Sequence, residues 1–391
     1  PLQRKYKIRD TVELGLKDWH AFAEFGPGDR WPRAWAEAYV NRANPEVFDW
    51  LRGIGVEFMP MPLWVERGLH TPGNSVPRWH IVWGTGHELA VVTNRHLLSH
   101  RNSSLVDLRF GHRVESLLTT NGRVTGCRGT TEESCAEFEA HAEAVIIASG
   151  GINGNLERVR QNWHADWSRP PETLLNGSHK YADGRLHDAA AELDAQITHL
   201  DWQWNYAAGV HHWKPRKPAH GLSLVPPKSA LWLNWRGERI GPMPLVTGFD
   251  THDLVAQVCR QERAYSWQLL NRKIALKELA ISGGEFNPAF RDKNRKQVAR
   301  DILFGNRWLY EQVTRNCEDF VVAPTLPELV EKMNALVGDD SVDLDAATKA
   351  ATAYDERIGL GPRFHNDDQL RRIEFARRWI GDRLRTCKYQ K

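Results

Sequence analysis

AEAVIIASGGINGN, residues 142–155, is the stretch on which the fold prediction rests. The apolar, β-branched run at 145–147 predicts a short strand that is covered on both faces. A Ser-Gly-Gly turn at 149–151 follows directly, and glycine lets backbone N–H groups come close to a ligand. A helix is predicted over 156–163. A strand, a glycine turn and a helix start together are typical of sites for nucleotides and other anions, although such turns also simply reverse the chain.

The length and charge of the chain exclude several classes of protein. Its 391 residues are enough for two or three domains, and 52 basic against 49 acidic residues leave a net charge of +3. This balance is not that of a protein that binds polyanions, so no nucleic-acid partner is predicted. No apolar run approaches the roughly 20 residues that a membrane span needs, and no secretory signal opens the sequence. A cytoplasmic location is therefore expected.

The cysteines, histidines and tryptophans bear on the site chemistry. The five cysteines are scattered, without a C-x-x-C pair, which favours a reducing compartment over a disulfide framework. The 17 histidines include no H-E-x-x-H, and no metal site is predicted. The 17 tryptophans suit large apolar pockets or interfaces, although core packing explains any single one. A homo-oligomer is compatible with this composition.

Periodicity predicts helices separated by short strands. An antiparallel meander is expected over 106–129, because Asn121-Gly122 is a strong hairpin turn between two alternating runs. A strand is also expected at 54–58, and a hairpin over 230–240 with its turn at Arg236-Gly237. The predicted helices are 11–25, 31–51 interrupted at Pro45, 87–100, 156–163, 183–195, 252–264, 271–279, 296–317, 326–333, 344–357 and 369–384.

Several of these segments together resemble one flavoprotein superfamily. The segments are 142–160 (AEAVIIASGGINGNLERVR), 112–129 (HRVESLLTTNGRVTGCRG), 181–197 (YADGRLHDAAAELDAQI), 231–240 (LWLNWRGERI), and 323–334 (APTLPELVEKMN) with 342–358 (VDLDAATKAATAYDERI). Taken in chain order, they resemble the fumarate reductases, succinate dehydrogenase flavoprotein subunits and 3-ketosteroid dehydrogenases, and most of all the bacterial FAD-binding dehydrogenases. Two of the family's segments are not found, the G-x-G-x-x-G strand-turn-helix and the glycine-rich segment that caps the flavin.

The resemblance implies an α/β fold with an α+β cap. We expect an incomplete, partly Rossmann-like FAD-binding domain over 1–200, containing the antiparallel meander and the glycine turn. A mixed substrate or cap domain is expected over 201–325, and C-terminal helices over 326–391. The cofactor implied is FAD, if the missing segments are supplied. The residues expected to contact it are Val114, Ala148, Ser149, Gly150, Gly151, Asn155, Asp183 and Gly184.

The resemblance also indicates where a proton donor would lie. Fumarate reductases carry an arginine in a segment that matches 248–253 here, and no arginine occupies this place. Asp250 and His252 are the replacement candidates, since histidine titrates near neutral pH. Alternatively, Asp250 or Thr251 only caps the helix that begins near His252. Ketosteroid dehydrogenases use a tyrosine as the acid catalyst, and Tyr206 lies in a tryptophan-rich segment, 202–213, that suits a flat apolar substrate. Core packing is the alternative role for these aromatic residues.

Two functions follow from these residues. The first is an FAD-dependent oxidoreductase, or a fragment of one, that acts at a C–C bond next to a carbonyl of an apolar ketone or enone and exchanges a hydride with flavin N5. The alternative is a non-catalytic relative that has lost flavin binding and acts as a binding or assembly module. Flavin uptake by the chain separates the two.

Overall fold

The computed structural model describes residues 2–63, 72–241 and 250–387. Its α-helices are α1 (Val12–Ala23), α2 (Arg30–Arg42), α3 (Asp49–Gly53), α4 (Thr85–Ser99), α5 (Leu156–Gln161), α6 (Arg185–Ala191), α7 (Thr251–Cys259), α8 (Arg272–Glu278), α9 (Pro288–Arg291), α10 (Arg295–Phe304), α11 (Arg307–Asn316), α12 (Leu326–Val337), α13 (Leu344–Gly359), α14 (Asp368–Ala376) and α15 (Ile380–Arg385). Its strands are β1 (Phe58–Leu63), β2 (Trp79–Val82), β3 (His112–Thr120), β4 (Arg123–Thr131), β5 (Glu137–His141), β6 (Gly209–His211), β7 (Gly221–Val225), β8 (Leu231–Leu233), β9 (Trp267–Leu269) and β10 (Ala280–Ile281).

Helices dominate the N-terminal part. The predicted helix 31–51 is interrupted where expected: α2 ends at Arg42, and a π-helical turn over Ala43–Phe48 contains Pro45, which has no N–H to donate. The predicted strand at 54–58 forms a few residues later, as β1, and pairs antiparallel with β2. Arg78 holds this region together, since its guanidinium is 2.8 Å from Asp10 and 2.7 Å from Asp18.

The predicted meander is confirmed as a three-stranded antiparallel sheet in the order β3-β4-β5. Asn121 and Gly122 adopt φ angles of 51° and 74° in the turn between β3 and β4, the left-handed pair that a tight hairpin requires. The prediction of a further strand at 106–110 is wrong, because this segment is irregular and Phe110 is 85% exposed. An alternating pattern forms a strand only where a neighbour accepts and donates its backbone hydrogen bonds.

The buried strand predicted at 145–147 is also wrong. Residues 142–151 have no strand geometry, and the Ile146 side chain is 91% exposed. All the pairs between the described strands are antiparallel. The apolar run therefore has no strand beside it in the described part of the chain. The Rossmann-like part of the fold stays a prediction, as do the domain boundaries.

The C-terminal half contains the largest apolar core. A sheet in the order β10-β7-β6 packs with α7 and α11 through a cluster that includes Leu254, Leu309 and the fully buried Trp232. Strand β8 pairs with β9, and Leu233 also bridges to Arg239 in the predicted hairpin. The predicted helix 296–317 is two helices, because Gly305 between them has a φ of 92°. A Cβ atom at Gly305 would lie 2.7 Å from the Leu276 carbonyl oxygen.

Candidate functional site

The glycine-rich turn is held against the segment 179–184 by its own backbone. The Gly154 amide donates to the Ala182 carbonyl at 2.8 Å. A Cβ atom on Gly154 would lie 2.4 Å from the His179 carbonyl oxygen and 2.9 Å from that of Ala182. Gly150 has a φ of 82°, and a Cβ there would be 3.3 Å from the Ala182 Cβ. Glycine is thus needed at 154 for close approach and at 150 for conformation.

Two of the predicted cofactor residues stabilise helix starts. The Asn155 side chain accepts a hydrogen bond from the Arg158 amide at 3.2 Å and caps α5. The Asp183 carboxylate accepts from the Arg185 amide at 3.0 Å, next to Gly184, whose φ is 82°. A short helix, α5 or α6, therefore begins at each of these two turns.

Arginines join these turns to each other and to the meander. Arg185 donates to the Glu115 carboxylate at 3.0 Å, which brings the start of α6 beside Val114 on β3. Arg158 makes a two-pronged ion pair with Asp188 on α6, and this hydrogen bond lowers the pKa of the Asp188 carboxyl. The structure thus brings together the predicted cofactor residues of β3, the glycine turn, Asn155 and the start of α6.

A large cavity of about 1950 Å³ lies in the C-terminal half. It is bordered by α5, β6, β7, α7, α8 and α12. Its aromatic lining consists of Trp163, Trp204, Tyr206, Tyr265, Trp267, Tyr310, Phe320 and Tyr354. This volume exceeds the roughly 300–1,000 Å³ of common ligand pockets, and aromatic walls suit flat apolar molecules.

Of the three predicted catalytic residues, Tyr206 borders the cavity. Its ring stacks on Trp204 with centroids 6.3 Å apart and planes inclined by 14°. Asp250 is buried and its carboxylate accepts from the Asp253 amide at 3.2 Å, so Asp250 caps α7, while its catalytic role stays a prediction. Its neighbours Gly248 and Phe249 lie outside the described residues.

His252 lies in an aromatic cluster at the start of α7. Its ring is stacked on Trp202 at 5.5 Å and meets His164 edge-on at 4.7 Å. Its Nε2 atom is 3.5 Å from the Asp166 carboxylate. Neither His252 nor Asp250 is among the described residues that line the cavity, so the structure does not bring them together with Tyr206 there.

The sequence interpretation missed a His–Asp pair in the cavity wall. The Asp319 carboxylate lies 2.9 Å from Nδ1 of His211 and also accepts from the His211 amide at 2.6 Å. Both side chains border the cavity. The two residues are 108 positions apart, so no local motif joins them. A carboxylate on Nδ1 orients the imidazole and leaves Nε2 for chemistry.

Comparisons with known proteins identify the family. The sequence profile of the FAD binding domain family matches residues 1–343. The chain belongs to this FAD-binding family. It is 39% identical over 403 residues to the KsdD-like steroid dehydrogenase of Mycolicibacterium smegmatis. This alignment covers 98% of the present chain and 72% of that protein. A KsdD-like steroid dehydrogenase of Mycobacterium tuberculosis is 38% identical over 402 residues, covering 98% and 70%.

A solved structure shares the fold of this FAD-binding family member. It is the 3-ketosteroid-Δ4-(5α)-dehydrogenase of Rhodococcus jostii in complex with 4-androstene-3,17-dione. It matches with a TM-score of 0.56 and 17% identity, covering 94% of this chain and 69% of that one. The predicted α/β flavoenzyme class, the family and the cofactor FAD are thereby confirmed. No helix in the described ranges is long and apolar enough to cross a lipid bilayer.

The glycine turn fits the anionic part of FAD. Ser149, Gly150 and Gly151 are exposed, and no described residue accepts a hydrogen bond from their amides. Three successive backbone donors in such a turn suit phosphate oxygens. The neighbouring Arg158 and Arg185 are each paired with a carboxylate, so the backbone amides, and not a net positive charge, are what this turn offers to an anion. The donor set of this turn therefore fits phosphate oxygens.

Proposed function

We propose that the chain is an FAD-dependent dehydrogenase acting at a C–C bond next to the carbonyl of a flat apolar ketone, with 3-ketosteroids as the substrate class. The observation that carries this proposal is the aromatic cavity with Tyr206 and the His211–Asp319 pair in its wall. The names of the relatives, all steroid dehydrogenases, and the steroid in the Rhodococcus enzyme support the substrate class.

The cofactor contacts belong to the same proposal. The amides of 149–151 would hold the FAD phosphates, Val114 and Ala148 would contact the nucleotide, and Asn155, Asp183 and Gly184 would fix the surrounding helix starts. When bound, FAD supplies the two-electron redox chemistry that protein side chains lack.

We assign carbonyl binding to Tyr206 and proton abstraction to His211. The Tyr206 hydroxyl donates a hydrogen bond to the substrate carbonyl and stabilises the negative charge that develops on its oxygen. The His211 imidazole, with Nδ1 held by Asp319, accepts the proton that leaves the carbon next to the carbonyl. The sequence-based assignments of Asp250 and His252 stay predictions; their contacts are those of a helix cap and of an aromatic cluster.

One experiment tests the proposal in two steps. The purified chain is titrated with FAD while the flavin absorbance and fluorescence are followed, and a 3-ketosteroid is then added with an artificial electron acceptor. We expect FAD uptake and reduction of the acceptor. An Asp319→Asn variant should keep FAD uptake and lose most turnover. FAD uptake without turnover on any 3-ketosteroid contradicts the substrate class.

The exposed apolar run at 145–147 favours a second candidate. Ile146 and its neighbour Ile147 are 91% and 41% exposed, and contiguous exposed apolar residues mark surfaces that another segment or protein covers. The chain would then be a binding or assembly module. A folded chain that takes up no FAD at high concentration would support this function and overturn the dehydrogenase.

A further inference from the structure

Two histidines and an aspartate meet outside the cavity, where separate chain segments come together. His164 caps a single helical turn over Ala165–Trp167, Asp166 lies in that turn, and His252 lies in the first turn of α7. One ligand atom from each of the three lies within 4.8 Å of the other two. The Asp166 Oδ2 atom is 3.5 Å from Nε2 of His252 and 3.8 Å from Nδ1 of His164.

We propose that His164, Asp166 and His252 form a binding site for a divalent transition-metal ion, with Zn²⁺ as the best match. Imidazole nitrogen with a single carboxylate oxygen is a donor set for such ions, whereas Ca²⁺ and Mg²⁺ prefer oxygen alone. Zinc bonds of about 2.0–2.1 Å place tetrahedral ligands about 3.4 Å apart. The two distances to Asp166 Oδ2 are within a few tenths of an ångström of this value.

A second carboxylate lies behind one of the imidazoles. Oδ2 of Asp201 is 3.9 Å from Nε2 of His164, on the opposite ring nitrogen from Asp166. A metal-binding histidine commonly donates its other N–H to a carboxylate, which fixes the tautomer. Asp201 and Asp166 together carry two negative charges, which balance a divalent cation. The metal replaces the Asp166 amide, which lies 3.2 Å from Nδ1 of His164, as the partner of that nitrogen.

The surrounding aromatic rings hold the ligands in place. The His252 ring is stacked on Trp202, and the Trp167 indole N–H donates to the His252 carbonyl at 3.0 Å. His164 is 8% exposed, so its imidazole is fixed by packing. Three protein ligands leave a fourth position for water. The ion would fasten the start of α7 to the turn 165–167, and Val255 and Val258 of α7 line the cavity.

The test measures metal binding directly. The full chain is treated with a chelator and titrated with Zn²⁺ by isothermal titration calorimetry, and with Co²⁺ while the visible absorption is followed. We expect one site per chain, a Co²⁺ spectrum of low coordination number, and a higher Tm with Zn²⁺. His164→Ala and His252→Ala should each weaken binding at least tenfold. Asp166→Asn should do the same without unfolding the chain, because the Asp166 side chain is 65% exposed.

Two control variants separate this site from others. His141→Ala removes an exposed histidine that lies 3.5 Å from the Glu139 carboxylate, and it should leave Zn²⁺ affinity unchanged. His211→Ala removes a histidine of the other cluster, with Glu318 and Asp319, and should also leave it unchanged. The proposal is wrong if the chain binds no Zn²⁺, or if one site of equal affinity survives in His164→Ala, Asp166→Asn and His252→Ala.

Discussion

Tyr206 is the residue on which the proposed chemistry depends most. Its hydroxyl is the group we assign to the substrate carbonyl, and a donor that acts on developing charge contributes mainly to kcat. Tyr206→Phe should therefore lower kcat about a hundredfold and change KM little. Steady-state kinetics of the FAD-loaded chain with a 3-ketosteroid would check this.

Tyr310 supplies the matched control for that measurement. It borders the same cavity from α11, and Tyr310→Phe removes the same atom from another part of the wall. We expect its kcat to stay within about threefold of the parent value, because a donor remote from the developing charge stabilises no transition state. Equal losses in both variants would refute the assignment of Tyr206.

Gly154 tests the architecture of the cofactor turn. A Cβ atom on Gly154 has no room, because three carbonyl oxygens of residues 179–182 all lie within 2.9 Å of the position it would take. Gly154→Ala should cost about 2 kcal/mol of unfolding free energy or more, because these are backbone atoms that cannot rotate away. The same substitution should also weaken FAD binding, because the added Cβ atom pushes the glycine turn away from the start of α6. Chemical denaturation and an FAD titration measure the two effects.

Gly28 provides the contrast for Gly154. A Cβ on Gly28 meets no atom within 4 Å. Gly28→Ala should leave FAD affinity unchanged and alter the unfolding free energy by less than about 1 kcal/mol. If Gly154→Ala also leaves FAD affinity and unfolding free energy nearly unchanged, then close packing at Gly154 does not position the glycine turn.

The Asp367 side chain links three elements of secondary structure. Its carboxylate caps α14, lies 2.6 Å from Arg239 of the hairpin after β8, and lies 3.0 Å from Arg357 of α13. Burial by itself raises the pKa of Asp367. The hydrogen bonds and charges of the two arginines, with the Leu370 amide, outweigh burial and leave this pKa below its ordinary value.

The pH dependence of stability follows from the direction of this shift. A carboxyl whose pKa is lower in the folded state stabilises the fold above its unfolded pKa of about 3.9, and this contribution is lost as pH falls through the folded pKa. Asp367→Asn should cost about 3 kcal/mol at pH 7, because it removes the buried carboxylate that pairs with Arg239, whose side chain is only 20% exposed. The difference from the parent should shrink below about pH 4 in urea unfolding at several pH values.

Asp343 is the control for the capping part of this effect. It caps α13, accepting from the Ala346 amide at 2.7 Å, and no arginine of the described residues pairs with it. Since asparagine caps a helix as well as aspartate does, Asp343→Asn should cost less than about 1 kcal/mol at pH 7. A similar cost in both variants would mean that the arginine pairs do not stabilise the fold.

Elements with a local signal were predictable, and those that need distant partners were not. Asn121-Gly122 specifies its hairpin through the φ angles of the two residues alone, and Asp250 was a recognisable cap. The run 145–147 carries the pattern of a strand, but a strand also needs a neighbour, which a pattern cannot supply.

Contacts between distant parts of the chain explain why the candidate site was predictable only in part. The Arg185–Glu115 contact that joins α6 to β3 spans 70 positions, and only the family resemblance grouped the residues around it. The His211–Asp319 pair and the meeting of Asp166 with His252 span 108 and 86 positions. Contacts over such distances depend on how the sheets and helices pack, which periodicity does not determine. The family resemblance therefore supplied the cofactor residues, which stay predictions, and periodicity missed the His211–Asp319 pair in the cavity wall.

The exposed apolar residues have a consequence for the molecule as a whole. Ile146, Phe110 and Leu105 are 91%, 85% and 82% exposed, and apolar side chains in water favour association with other surfaces. Ile146→Asp should therefore reduce self-association, measured by light scattering across a concentration series. It should change the unfolding free energy by less than about 0.5 kcal/mol, because the side chain buries almost nothing.

For Ile152, six residues further along the chain than Ile146, we expect the opposite effects of the same substitution. It is 4% exposed beneath the glycine turn, so Ile152→Asp buries a charge and should destabilise the fold by several kcal/mol. Two identical substitutions in one short segment thus separate a surface that promotes association from a core that supports the turn. If Ile146→Asp leaves light scattering unchanged at every concentration while circular dichroism stays that of the parent, the run 145–147 takes no part in self-association. Its apolar character would then need a role within the FAD-bound chain, which the same variant tests by FAD titration.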